Sequence, residues 1–125
     1  MGVQHGREGA VATVTASGHY GTAELREAID AALASFDGEG AKGLLFDLST
    51  SEALPDRSAK DLHAMAYFLA SRAGRYARRL AMVAVTDLAY GMMRMGSVVA
   101  ESQGIAARVF RDRASAMAWL GPTDR

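Results

Sequence analysis

Two short apolar runs, Gly43–Leu48 and Leu80–Val85, constrain the fold more than any other feature of the chain. Both are rich in large aliphatic residues and show no polar alternation. A strand of that composition is covered on both faces, and such strands belong to parallel sheets with crossover helices. Between them lies a segment opening at Ser58, in which Leu62, Met65, Ala66 and Leu69 recur at helical spacing. Strand, helix and strand in that order form a right-handed crossover.

The same alternation runs through the rest of the chain. Val11–Ala16 is β-branched and bounded by Gly9 and Gly18, so it reads as a strand, with a short strand at Val3–His5 before it and a turn at Gly6–Gly9. Thr22 is placed to cap a first helix, with Glu24 at its positive end. Leu25, Ile29, Ala32, Leu33 and Phe36 form one apolar face of that helix, and Gly38 and Gly40 end it. Ser49–Asp56, with Pro55, reads as a polar loop. Ser58 and Asp61 have the spacing of a capping box, and Gly74 is the expected C′ residue of the second helix. Thr86 or Asp87 caps a third helix with a core stripe of Leu88, Met92, Met95 and Val99, ended by Gly104. Ala106–Phe110 is the last strand, and Asp112 caps a closing helix that ends in Trp119 and Leu120. The expected architecture is α/β: residues 1–125 as a single small domain, a mostly parallel sheet of four to five strands, and about four helices.

Composition excludes several classes of function. A chain of 125 residues with 14 basic and 14 acidic side chains has zero formal net charge, so it lacks the broad counterion-release drive of a nucleic-acid binder. It contains no cysteine, which removes disulfides, thiolate metal sites and thiol catalysis. The N-terminus has no apolar signal core, and the longest apolar run is far short of the ~20 residues that span a bilayer. The chain is expected to be cytoplasmic, without a transmembrane segment.

Candidate catalytic groups do not assemble into a known set. His5, His19 and His63 contain no pair at helical metal-clamp spacing, and no Gly-x-Ser-x-Gly elbow is present. Gly38-Glu39-Gly40 precedes a strand instead of opening a helix, so it is not a phosphate loop. Asp47 ends a central strand, at the sheet edge where open α/β folds bind ligands, and Thr86 ends the next. A phospho-receiver would place such residues there, but no acidic pair follows the first strand and Arg111 stands where a lysine is needed. Asp47 is expected first to accept hydrogen bonds from the following loop, and Asp47 with Thr86 is kept as a candidate strand-end ligand site. Arg72, Arg75, Arg78 and Arg79 cluster past the second helix, where cations complement the negative helix end. Tyr67, Phe68, Tyr90 and Met93 lie off the core stripes of their helices. They are expected to form an apolar pocket or an interface, methionine being adaptable to either.

With its Leu-Leu-Phe-Asp-Leu strand at residues 44–48, its element order, and its closing strand followed by Ala-Met-Ala-Trp-Leu at residues 116–120, the chain resembles the SpoIIAA-like family, relatives of the STAS domain, over about residues 9 to 120. The resemblance implies a small sheet with helices, similar also to lipid-carrier domains of the Sec14 type, and a binding or regulatory role in place of a named reaction. STAS anti-sigma antagonists carry an Asp-Ser-Ser-Gly turn whose serine is phosphorylated. Here the matching segment is Asp56-Arg57-Ser58-Ala59, with Arg57 in place of a serine and Ala59 in place of the glycine. Ser58 is the phospho-switch candidate that the resemblance supplies. The leading expectation is a non-enzymatic module, free of cofactor and metal, that docks a protein partner or itself as a homodimer. The alternatives are a carrier of a small apolar or lipid-like ligand, and a Ser58 switch.

Overall fold

The computed structural model describes residues 2–36, 40–52 and 57–121. Five strands, β1 (Val3–Glu8), β2 (Val11–Gly18), β3 (Gly43–Ser51), β4 (Arg79–Val83) and β5 (Ala106–Phe110), lie side by side in chain order. β1 and β2 form an antiparallel hairpin, with Val3 opposite Ala16 and Glu8 opposite Val11. The other neighbours are parallel, Leu44 standing beside Leu80 and Leu80 beside Ala107. Helices α1 (Thr22–Ala34), α2 (Ala59–Ser71) and α3 (Asp87–Ser102) are crossovers on one face, and α4 (Arg113–Leu120) turns back under the other.

The alternation of side chains along each strand divides the core in two. Ala12, Val14, Leu44, Phe46, Leu80, Met82 and Ile105 meet α1–α3, whereas Val11, Leu45, Ala81 and Val83 meet Ala116 and Leu120 of α4. That is why the run from Gly43 is continuously apolar up to Asp47: both of its faces are covered. Ile29, Leu33, Leu44, Leu45 and Leu80 are among the largest fully buried side chains. Each such residue contributes about 1.5–3 kcal/mol relative to exposure.

Local chemistry accounts for most helix ends. Ser58 Oγ accepts from the Asp61 N–H at 3.1 Å while the Ser58 N–H donates to Asp61 Oδ2 at 2.9 Å, a complete capping box for α2. Thr86 caps α3 by accepting from the Ala89 N–H at 3.1 Å, and Asp112 caps α4 by accepting from the Ser115 N–H at 2.7 Å. The cap of α1 is Gly21, not Thr22, because Glu24 reaches back to the Gly21 N–H at 3.3 Å and Thr22 is already helical.

Other boundaries also move. β1 runs to Glu8 and the hairpin turns at Gly9 (φ 61°), since Gly6 pairs with Thr13 inside the ladder. β3 continues three residues past Leu48, because Thr50 and Ser51 still pair with Ser17 and Gly18 after a bulge at Leu48–Ser49, where two residues of β3 stand against Ala16 of β2. α1 ends at Ala34, so Phe36 is buried from beyond the helix. Gly40 has φ +77°, and a Cβ there would stand 2.8 Å from the Arg75 carbonyl oxygen, so only glycine fits. Gly74 is not the left-handed stop after α2. It sits in a 3-10 turn, Ala73–Tyr76, and Ala77 and Arg78 take the left-handed positions at φ 58° and 57°. The Gly38 stop, the Pro55 loop, and Asp56 of the Asp56–Ala59 segment lie outside the described residues.

The largest departure concerns α3. Its buried residues are Ala89, Met93, Ser97 and Ala100; of the expected stripe, Met92 packs half-buried on the core and Val99 is half-buried, whereas Leu88 and Met95 are exposed. Small residues let the helix sit close to the sheet, and the larger apolar residues are turned outward. Leu88 and Met95 are 54% and 53% exposed, while Met93, expected off the core, is 6% exposed.

Candidate functional site

Parallel strands direct their C-terminal ends to one edge, where polar residues from β2 and β3 gather. Ser17 and Thr50 share a hydroxyl–hydroxyl bond of 2.8 Å, and Tyr20 and Ser51 one of 2.6 Å. Arg57 donates to the Tyr20 carbonyl at 2.6 Å and lies over its ring. Burial pushes the Tyr20 phenol up, against the opposing pull of Ser51 and Arg57. His19 stands 3.6 Å from Glu52, both well exposed. In this fold the three crossover helices share one face, so no strand-order reversal opens a crevice here.

Asp47 and Thr86 each have hydrogen-bond partners within the chain. Asp47 is turned toward α4 and is 6% exposed. Its Oδ1 accepts from the Ser49 N–H at 2.9 Å and its Oδ2 from Arg113 at 2.9 Å, while Arg113 also binds Glu8. Burial alone would raise the Asp47 carboxyl, but hydrogen bonds from Ser49 and the Arg113 guanidinium outweigh it and hold the group below the ordinary range. Asp47 thus ties β1, β3 and α4 together. Thr86 spends its hydroxyl on capping. Arg113 had no signal in the sequence beyond its place after a cap, because its partners lie 66 and 105 residues away.

Three arginines of the cluster are likewise bonded within the fold, and Arg78 is exposed. Arg72 forms a two-pronged bond to Asp30, Arg75 donates to the Leu33 carbonyl, and Arg79 donates to the Trp119 carbonyl while lying 4.4 Å from that ring's centre. Hydrogen bonding from Arg72 holds the Asp30 carboxyl low. Among the described residues, no group of three histidine, aspartate or glutamate side chains is placed to hold a metal, and no helix is long and apolar enough to cross a membrane.

The four off-stripe apolar residues separate. Met93 lies beneath α2, where it lines two adjoining clefts with Phe46, Leu62 and Met65, one of them reaching Met82. Each cleft measures about 40 Å³. Ligand pockets of roughly 300 Å³ or more hold drug-sized molecules. Phe68 is half-buried between α1 and α2, stacked with Arg72 at 4.2 Å. Tyr90 is half-buried under Arg111 at 4.2 Å. Tyr67 is exposed, on the outer side of α2.

What remains open is the outward side of α3. Leu88, Gly91, Met95, Val98 and Ser102 follow one another at intervals of three and four, and all are exposed. Val98 reaches 63% exposure, and Val85 just before the helix 49%. This is the spacing of a helix seam that packs on another helix. Gly91 and Val98 escape a search for large apolar residues at core spacing, although their place in the seam is visible once Leu88 and Met95 are taken as its start.

No family model matches the chain, and no curated protein matches it. Among solved structures, the chain is similar to an uncharacterised protein of the DUF3478 family with a SpoIIAA-like fold from Shewanella loihica PV-4. The TM-score is 0.61, with 95% of this chain and 94% of that chain covered at 17% identity. The fold is SpoIIAA-like. At this identity the likeness speaks for architecture alone. In this SpoIIAA-like domain the charged groups of the strand edge and of the α4 face bind one another, and the largest exposed apolar side chains are concentrated on α3, with Tyr67 on its neighbour α2.

Proposed function

We propose that this SpoIIAA-like domain is a non-catalytic binding or regulatory module that contacts a protein through the outward side of α3, extended by Tyr67 of α2. The observation that carries this reading is the exposure of Leu88, Met95 and Val98 on one seam. Scattered exposed apolar residues are normal, but a seam at regular helical spacing has the form of a helix-packing surface. The bonded state of Asp47, Arg113 and Thr86 supports a structural role for groups that could otherwise have served chemistry. A carrier for an apolar ligand is the runner-up. The methionine-lined clefts support it in chemistry, and their 40 Å³ volume does not support it in size.

Site-directed photo-crosslinking tests the docking surface. A photoreactive residue at Val98 should give one discrete covalent product in cells, lost when Met95→Glu is added, whereas the same residue at Ser115 on α4 should give none. Equal yields at the two positions, or none at Val98, would overturn the reading.

A further inference from the structure

The outward side of α3 is self-complementary about Gly91. A glycine inside a helix is less favourable than alanine, and one is kept where something approaches closely. Among the described residues nothing does so, since a Cβ built on Gly91 meets no atom within 4 Å. On one side of Gly91 stand Asp87 and Leu88, four and three residues earlier. On the other stand Arg94 and Met95, three and four residues later. Asp87 is 99% exposed at its side chain although it also touches Arg111 at 3.1 Å. Arg94 is exposed and has no ion-pair partner among the described residues.

We infer that two copies of the chain associate by crossing their α3 helices antiparallel at Gly91. A two-fold axis there sets the Asp87–Leu88 pair of one copy against the Arg94–Met95 pair of the other, and the same contact forms twice. Carboxylate meets guanidinium and aliphatic side chain meets thioether. The missing side chain at Gly91 lets the two backbones approach, with Val98 and Tyr67 toward the rim. Antiparallel helices also place opposite helix ends side by side. A contact built mainly on one helix per copy is small, so the dimer should exchange with monomer at accessible concentrations.

This inference rests on the docking reading above and names its occupant. Sedimentation velocity over a wide concentration range tests it on the intact chain. The wild type should shift from the mass of one chain to that of two. Gly91→Gln, which favours the helix but fills the crossing point, should remain monomeric. Arg94→Asp and Asp87→Arg should each weaken association by about tenfold or more, and the double exchange should restore it to within about threefold, because the charge pair is re-formed with its ends swapped. Circular dichroism confirms that each variant is folded. A wild type that stays monomeric at every concentration overturns self-association; if Val98 then crosslinks to a product of some other mass, the docking reading survives with a different partner. A dimer indifferent to all of these changes overturns the crossing at Gly91, and the crosslink at Val98 then decides the docking reading by itself.

Discussion

The Asp47–Arg113 pair gives the account a sharp energetic test. Asp47→Asn keeps an acceptor for the Ser49 N–H but removes the charge that faces Arg113. Breaking a fully buried pair costs about 3–5 kcal/mol. Here Arg113 is about a third exposed and retains Glu8, so screening lowers the figure to roughly 2–3 kcal/mol. A domain of this length has an unfolding entropy near 0.26 kcal/mol per degree, so Tm should fall by about 10 °C. Thermal unfolding of Asp47→Asn, Arg113→Met and the double variant closes a cycle whose coupling should be about 1–2 kcal/mol. The pH dependence follows from the depressed Asp47 pKa. Folded below its unfolded value, the carboxylate contributes full stability above the ordinary carboxylate pKa of about 4 and loses it as pH falls further, so the variant should have a flatter acid limb. An Asp47→Asn protein as stable as wild type, or more so, would refute the clamp and return Asp47 to the list of functional carboxylates.

Changes at three further positions probe the fold and the remaining switch candidate. Ser58→Ala should cost about 1 kcal/mol by urea unfolding through loss of the cap, while Ser58→Asp, also a good cap, should cost less, unless repulsion from Asp61 dominates. If Ser58→Asp instead changes the self-association constant with stability unchanged, the phospho-switch reading gains its first support. Gly40→Ala should destabilise the chain by at least about 2 kcal/mol, because the new Cβ collides with the Arg75 carbonyl at a left-handed φ. Ala77→Gly should do the reverse, raising stability by up to about 1 kcal/mol at φ 58°.

The sheet and its crossovers were legible because long-range structure and local pattern agree there. The run from Gly43 to Phe46 is apolar on both faces for the reason that α3 and α4 lie on opposite sides of the sheet. Caps at Ser58, Thr86 and Asp112 were legible because a short polar side chain and its target amide are neighbours in sequence. The orientation of α3 was not. Its apolar residues cover nearly every side, and choosing the larger ones as core selects Leu88 and Met95, whereas the sheet takes Ala89, Ser97 and Ala100, whose small size permits close packing. Leu88 and Met95, expected in the core, belong instead to the exposed seam, whereas Met92 still packs on the core. Arg113 and Arg57 were silent for another reason, as their partners are distant in the chain.

Methionine methyl NMR tests the central claim most directly, because the seven methionines sample both the clefts and the seam. On dilution of the protein, the signal of Met95 on the α3 seam should shift, while those of Met65 on α2 and of Met82 and Met93 beneath it should stay fixed. Movement of the cleft methionines with Met95 unchanged would contradict the account and make the space under α2 the working part of the molecule.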